Sequence, residues 1–273
     1  MATIILDESG TPKPRSGALF TGMGQKTERV VLGSSFIVLL FVIWELVTAL
    51  GLEPPILLPS PADVITALVG LFSSSSIWAD LAESGKELFY GLALAAAVGI
   101  VGGLAIGWYP RLGYFFDPFV NFLYAIPRVA LGPLLVVWLG IGLSSKVALV
   151  FLIAVFPVLV NTSSGVRSLD QHLLRVARCF GATDLKIFRA IALPGSVPFI
   201  LGGLRLAVGQ ALIGVFVAEL LGAQHGVGAL IENAGQQFQT DLVFAGLLIF
   251  AVAGMLLTTM VRWLEHRFDA WRL

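Results

Sequence analysis

Charged residues are scarce in this chain of 273 residues. Seventeen lysines and arginines balance seventeen aspartates and glutamates, so only 12% of the chain is charged while 57% is hydrophobic. A soluble domain carries about 25% charged residues, and half that fraction indicates that lipid surrounds much of the protein. The formal net charge of zero gives no reason to expect a nucleic-acid partner. The composition therefore predicts a membrane protein.

Cysteine and histidine are scarce as well. The one cysteine, Cys179, excludes an internal disulfide, and the histidines (His172, His225 and His266) stand too far apart to share a metal ion. No histidine, and no serine or cysteine beside a base, falls in an apolar segment, which argues against an intramembrane enzyme. Residues 17–27 lack the lysine directly after the second glycine that a phosphate loop requires. We therefore predict no metal, cofactor or catalytic site.

Six segments are long and apolar enough to cross a bilayer, which takes about 20 apolar residues. They cover residues 30–50, 88–108, 119–139, 146–161, 199–221 and 242–263. Residues 1–29 are polar and predict an N-terminal tail, and residues 30–273 predict one membrane domain. An even number of spans places both termini on the same side. The sequence thus predicts an all-α membrane protein with six transmembrane helices.

Lysine and arginine are distributed unevenly between the two sides. Most of them precede span one, lie between spans two and three or between four and five, or follow span six, and the other loops contain only Lys86 and Lys146. Because cytoplasmic loops carry an excess of basic residues, we expect both termini and the loop between spans four and five to be cytoplasmic. The loop 52–87 is then external, with short interfacial helices expected at 62–71 and 77–90.

Small residues recur at every fourth position of the second span. The stripe consists of Gly91, Ala95, Gly99, Gly103 and Gly107. Such spacing leaves one nearly smooth helix face that another backbone can approach closely. We predict that this face, and Gly99, Gly103 and Gly107 in particular, packs a helix inside the bundle or across a two-fold axis and binds no ligand.

The third span contains two prolines and a charge. Pro127 and Pro133 each remove a backbone donor and predict a kink, and Arg128 costs about 2.5–3.5 kcal/mol if it faces lipid. Arg128 should therefore face the interior, either in an ion pair that locks two helices or as the positive lining of an anion path. Glu219 is the preferred partner over Glu45. The residues expected to border a translocation path are Pro127, Arg128, Gln210 and Glu219.

The loop between spans four and five reads as two short helices on either side of a glycine. Apolar residues recur at helical spacing over residues 171–188, and Gly181 can turn the chain with a positive φ at little cost. The second helix is expected to stop at Leu193-Pro194. Such a loop is either an interfacial helix on the lipid surface or a docking knob for a partner. Its charged residues are Arg175, Arg178, Asp184, Lys186 and Arg189.

Residues 175–194 follow a spacing found in one family of membrane proteins. The pattern is Glu-Ala-Ala, three residues, Gly, nine residues, Ile, one residue, Leu-Pro. Arg175 and Val176 depart from its first two positions, and the matching residues are Ala177, Gly181, Ile191, Leu193 and Pro194. The stretch resembles the loop by which the membrane subunits of ATP-binding-cassette (ABC) importers grip their ATPase. Stretches such as 58–61, 138–142 and 218–222 are similar to the nitrate, sulfonate, taurine and bicarbonate importers.

The resemblance implies a type I ABC importer permease in the bacterial cytoplasmic membrane. It implies a second copy or a related permease, two ATPase subunits that bind ATP and Mg, and an external substrate-binding protein, while this chain binds no cofactor. The solute would be a small anion such as a sulfonate, taurine, nitrate, bicarbonate or an aromatic acid. The coupling loop would span 171–194, with contacts at Arg175, Ala177, Arg178, Gly181, Ala182, Asp184, Lys186, Ile191, Leu193 and Pro194.

A secondary transporter or channel that works without an ATPase is the alternative. Ion-coupled carriers bury several ionisable residues along their path, and the predicted spans contain few. The sequence therefore favours the ATP-driven reading.

Overall fold

The computed structural model describes residues 25–54 and 56–267, and within these ranges the secondary structure is helical, with no strand. Most of the predicted N-terminal tail, up to residue 24, and the chain after residue 267 lie outside the described residues. The chain divides into two compact units, Met1–Pro61 and Ala62–Leu273.

The first unit contains helix α1, Gln25–Ala49, which covers most of the first predicted span. Its apolar part, Ser34–Ala49, is shorter than 18 residues, whereas a spanning helix needs about 20. Trp44 Nε1 donates a hydrogen bond to the backbone oxygen of Pro59 at 2.9 Å, which ties the chain after the helix back to it. The placement of α1 across the membrane therefore stays a prediction.

Ten further helices follow, with one 3₁₀ turn, Arg128–Leu131, and one π-helical turn, Phe188–Ala192, among the described residues. In chain order the helices are α2 Pro61–Ser73, α3 Ser76–Trp108, α4 Pro110–Ala125, α5 Gly132–Leu139, α6 Leu143–Arg167, α7 Gln171–Cys179, α8 Asp184–Ile187, α9 Leu193–Leu220, α10 Val227–Gln236 and α11 Thr240–Arg267.

Four helical stretches of the described chain are long and apolar enough to cross a membrane. They are Ser76–Trp108, Leu143–Arg167, Asp184–Leu220 and Thr240–Glu265. A fifth span is formed if the bent pair Pro110–Ala125 and Arg128–Leu139 counts as one. The all-α prediction is confirmed for the described residues, and four to five of the six predicted spans are found.

Two sequence predictions about the external loop and the third span are wrong. Residues 77–90 form no separate interfacial helix, because α3 begins at Ser76 and runs without a break into the second span. The third span is broken rather than kinked, and its halves meet at 87°. Ile126 is extended, with φ −74° and ψ 137°, because the ring of Pro127 disfavours helical geometry in the preceding residue.

Helix α6 lies at the centre of the second unit, between α3 and α9. Val150, Ala154 and Val158 of α6 are buried with Ala95 of α3 and Ala211 of α9. The small-residue stripe of α3 lies against α6, inside the bundle. A Cβ added to the stripe would meet side chains of α6 at very short distances. It would lie 2.7 Å from the Val158 Cβ at Gly99, 2.6 Å from the Thr162 Cβ at Gly103 and 2.7 Å from the Val166 Cβ at Gly107.

The two ends of this bundle are distinct. Trp108, at the end of α3, packs edge-on against Phe188 of the π-helical turn, with ring centroids 5.3 Å apart. This end carries residues 168–192 and is called the loop end. At the opposite end, Lys146 of α6 lies 2.5 Å from Glu87 of α3. The Glu87 side chain is fully buried, and that of Lys146 is 12% exposed.

We predict that Gly103→Ala destabilises the protein, although alanine normally stabilises a helix by roughly 0.5–1 kcal/mol relative to glycine. The new Cβ would lie 2.6 Å from the Thr162 Cβ and 2.7 Å from the Leu159 backbone oxygen, and such overpacking costs about 1–3 kcal/mol. Gly102→Ala is the matched control, since its nearest neighbour would be 3.5 Å away. Thermal unfolding in detergent measures both; equal Tm values would contradict the close approach.

Candidate functional site

In the loop 168–192, the short helices α7 and α8 meet at a sharp turn at Gly181, and we call this arrangement the corner. Asp170 caps α7 by accepting a hydrogen bond from the His172 backbone N–H at 2.7 Å. At the other end of α7, Gly181 has φ +78°. Its N–H donates to the Arg178 oxygen at 2.9 Å, and the Ala182 N–H donates to the Ala177 oxygen at 3.1 Å. These two bonds form a complete Schellman motif, which ends the helix and fixes the direction of the chain.

The second half of the corner continues into a spanning helix. Thr183 caps α8 by accepting from the Lys186 N–H at 3.4 Å, and Asp184 is the first residue of α8, where its charge suits the helix dipole. The prediction that Leu193-Pro194 stops this helix is wrong. The π-helical turn leads directly into α9, and Pro194 is the second residue of α9.

Buried residues fasten the corner to the bundle. Leu174 of α7 and Ile187 of α8 are buried, as is Ala192 at the end of the π-helical turn. The ring contact of Phe188 with Trp108 adds a fourth anchor. Because these anchors lie on both sides of Gly181, the corner is held as one body on the end of the bundle.

The outward surface of the corner combines apolar and basic side chains. Phe180 is 87% exposed at the tip, and Val176 and Leu185 are exposed beside it. The predicted charged residues are exposed around this tip, and Arg178 lies 3.6 Å from Asp184. The sequence analysis did not single out Phe180, although its position directly before the turning glycine marks the tip.

The remaining predicted coupling residues differ in how far their side chains are exposed. Ala177 and Ala182 are half-buried at the corner itself. Ile191 and Pro194 are half-buried where the π-helical turn meets α9, and Leu193 is exposed there. The residues of the family pattern therefore build the corner and its junction, whereas residues outside the pattern, around Phe180, form its outer surface.

A cavity of about 670 Å³ opens at the loop end. Asn161 of α6, Leu173 and Ile191 of the loop, Arg205 of α9 and Glu265 of α11 contribute to its wall. Arg205 donates to Glu265 at 3.0 Å, which joins α9 and α11. Because the loop and α9 both line this cavity, a displacement of the loop changes its shape.

Arg128 lies directly after the break in the third span. Its guanidinium carbon is 5.0 Å from the ring centroid of Tyr124 and 5.2 Å from that of Phe156. The Nη1 atom is shielded from solvent and has no hydrogen-bond partner among the described residues. The predicted ion pair with Glu219 is not formed, because Glu219 is buried against Ser84 and Gly228 instead. The guanidinium therefore lies against a pair of aromatic rings, and it forms no ion pair with a carboxylate among the described residues of the second unit.

The other predicted path residues lie on different elements. Pro127 is exposed at the break, and Gln210 is half-buried on α9. Glu219 is fully buried near the end of α9, so it faces no open space. The sequence analysis also placed Glu87 in a loop and missed its pair with Lys146, because the two residues are far apart in the chain.

The four to five apolar spans define a multi-pass membrane protein. Residues 89–270 match the family described as the binding-protein-dependent transport system inner membrane component. The chain belongs to this family. It is therefore the permease component of a binding-protein-dependent ABC importer in the inner membrane.

Two relatives cover nearly the whole chain. A protein of Bacillus subtilis named as an aliphatic sulfonates transport permease, SsuC, is 34% identical over 96% of this chain and 95% of its own length. The taurine transport system permease TauC of Escherichia coli is 32% identical over 90% and 91%. Among solved structures, the inward-facing MetNI methionine ABC transporter has a TM-score of 0.62 at 16% identity, covering 71% of this chain and 96% of that one. This last likeness shows the fold alone.

Proposed function

We propose that residues 171–194 dock a separate ATPase and couple its motion to transport. The observation that carries this proposal is the corner at Gly181, whose exposed tip is apolar and whose second half continues into a spanning helix. In the proposed complex two ATPase subunits bind ATP and Mg. A second copy or a related permease completes the path, and an external binding protein delivers the solute.

The surface of the corner supports docking over simple attachment to lipid. A large exposed aromatic surrounded by polar residues is typical of a protein interface. The anchors Leu174 and Ile187 fasten the corner onto the end of the bundle. An interfacial helix would instead use its apolar side chains to enter the lipid beside the bundle.

We predict that Phe180→Ala weakens ATPase binding by at least about 10-fold, since buried aromatic anchors contribute about 2 kcal/mol or more to an interface. The measurement is the amount of ATPase that co-purifies with the tagged permease over a range of concentrations. Phe89→Ala is the matched control, because Phe89 is also an exposed phenylalanine and lies on α3, away from the loop. Wild-type binding by the Phe180 variant would rule out this contact.

We further propose that α1 is a sixth span, so that both termini and the loop end are cytoplasmic. The distribution of lysine and arginine supports this orientation, and an ATPase is available on that side only. Cys179 reports on it without any engineering, because it is the only cysteine of the chain and is exposed in the loop.

A membrane-impermeant maleimide should label Cys179 in inverted membrane vesicles and leave it unlabelled in intact cells, with the permease expressed alone. The double variant Cys179→Ser, Ser75→Cys is the control, since Ser75 is exposed at the start of α3, at the opposite end. The cysteine at position 75 should be labelled in intact cells and remain unlabelled in inverted vesicles. Labelling of Cys179 in intact cells would mean that the loop faces outward, and the proposed docking would fail with it.

We propose a small anion, a sulfonate or taurine in the first instance, as the solute. Two of the relatives are named for these compounds. Arg128, which lies against two rings and whose Nη1 has no hydrogen-bond partner among the described residues, supports an anion path. Pro127 and Gln210 are the other residues that we propose along this path. Aromatic faces stabilise a cation without removing its charge, so the guanidinium can still bind an oxyanion.

Arg128→Gln should reduce taurine or alkanesulfonate uptake by about 10-fold or more, because a hydrogen bond to a charged group contributes about 1.5–3 kcal/mol. Arg128→Lys should retain part of the activity, since it keeps the charge but loses the planar donor set. Uptake is measured in proteoliposomes with the ATPase and the binding protein present. Unchanged uptake by the glutamine variant would contradict the anion path. If the wild-type complex transported nitrate or bicarbonate but neither taurine nor an alkanesulfonate, the proposed identity of the solute would be wrong.

A further inference from the structure

A fully buried glutamate at the opposite end of the bundle joins three helices. Glu219 lies one residue before the end of α9. Its Oε1 accepts a hydrogen bond from Ser84 Oγ of α3 at 2.5 Å, and its Oε2 accepts one from the backbone N–H of Gly228 at 2.6 Å. Gly228 belongs to the first turn of α10. We call Glu219, Ser84 and the first turn of α10 the Glu219 clamp.

The clamp also satisfies the start of α10. The first N–H groups of a helix have no partner within the helix, and the N-cap residue of α10, Gly226, has no side chain that could accept from them. Side chains from two other helices replace the missing cap. The bonds run from Gly226 N to Asp80 at 2.9 Å, from Val227 N to Ser84 at 3.0 Å and from Gly228 N to Glu219.

The carboxylate fits between these elements without spare room. A Cβ added at Gly228 would lie 2.7 Å from Glu219 Oε2 and 3.0 Å from the Glu219 Cβ. A Cβ at Gly226 would collide with the same carboxylate, and Gly226 has φ +129°. Larger residues at either position would therefore push α10 and Glu219 apart.

The chain between α9 and α10 is a poor mechanical link by itself. It contains two glycines with positive φ, Gly222 at +97° and Gly226 at +129°, and glycine rotates freely because it has no Cβ. A displacement of α9 could be absorbed by rotation at these positions. The direct bond from Gly228 to Glu219 bypasses this hinge.

Helix α9 reaches the clamp from the loop end. The continuous helical path Asp184–Leu220 has 37 residues, which corresponds to about 55 Å at 1.5 Å per residue. Asp184 starts this path in the docking corner, and Glu219 lies near its far end. The path therefore connects the proposed ATPase contact to α10, whose buried side packs on α3, α9 and α11.

We propose that Glu219 is a positioning residue that transmits the movement of α9 to α10 and α3. Through this contact, ATP hydrolysis would be coupled to opening of the bundle at the end opposite the loop. This inference rests on the proposed docking of the ATPase at residues 171–194. Loss of the clamp would leave the docking corner intact and let α9 move without α10. The expected defect is uncoupling rather than loss of ATPase activity.

The test compares uptake and ATP hydrolysis in proteoliposomes that contain the complete complex and its loaded binding protein. Glu219→Gln weakens the clamp from α9, and Gly228→Ala weakens it from α10. Both should keep ATPase co-purification and basal hydrolysis while the solute transported per ATP falls by at least 5-fold. Glu232→Gln is the matched control, because the partner of the Glu232 side chain among the described residues is Gln236 of the same helix.

Three outcomes are distinguishable. A wild-type ratio of solute to ATP in both variants overturns the role of Glu219. A parallel loss of uptake, hydrolysis and thermal stability also overturns it, since the clamp would then only hold the fold together. If the wild-type permease itself fails to bind an ATPase, the proposed docking has failed and the inference falls with it.

Discussion

Close contact between α3, α6 and α9 is the constraint on which the other features depend. Lipid tails are as apolar as leucine, so helices in a membrane associate through van der Waals packing rather than through the hydrophobic effect. Glycines supply that packing here. Gly99 and Gly103 bring α3 against α6, and Gly214 brings α9 close to the backbone of Val150 on the other side of α6. Three helices that approach this closely set the distances between their ends in the conformation described here.

Ionisable side chains lie mostly at the two ends of this packed unit, because they are costly inside the hydrocarbon of a membrane. At the loop end, the corner at Gly181 is fastened by apolar anchors and exposes Phe180. At the opposite end, the buried pair Glu87–Lys146 and the Glu219 clamp lie between helices. Breaking such buried pairs costs far more than breaking exposed ones. The polar groups at the opposite end therefore hold the helix ends in a specific arrangement. The loop end instead exposes a surface that a partner can contact.

The sequence predicted what depends on local pattern and missed what depends on distant contacts. Hydropathy located four of the described spans, and the spacing around Gly181 predicted the corner, because turn geometry is encoded by neighbouring residues. Glu87 and Lys146 were assigned to loops because neither residue reveals its partner 59 positions away. The prolines predicted a kink, but the 87° break also required the extended Ile126. Glu219 was the preferred partner of Arg128 in the sequence analysis, and that preference was wrong. It relied on the expected depth of both residues in the membrane, which does not show which side chains a buried acid contacts.

Arg128 and Glu219 show two different ways of accommodating an ionisable side chain inside a membrane protein. Both oxygens of Glu219 accept short hydrogen bonds, and the surrounding glycines leave no room for another molecule. Its hydrogen-bonding capacity is used for structure. The guanidinium of Arg128 instead lies against two neighbouring rings, which lower the cost of burial without using its N–H donors. A transport path needs a site that binds a solute and then releases it, and only the second arrangement leaves donors free for that purpose.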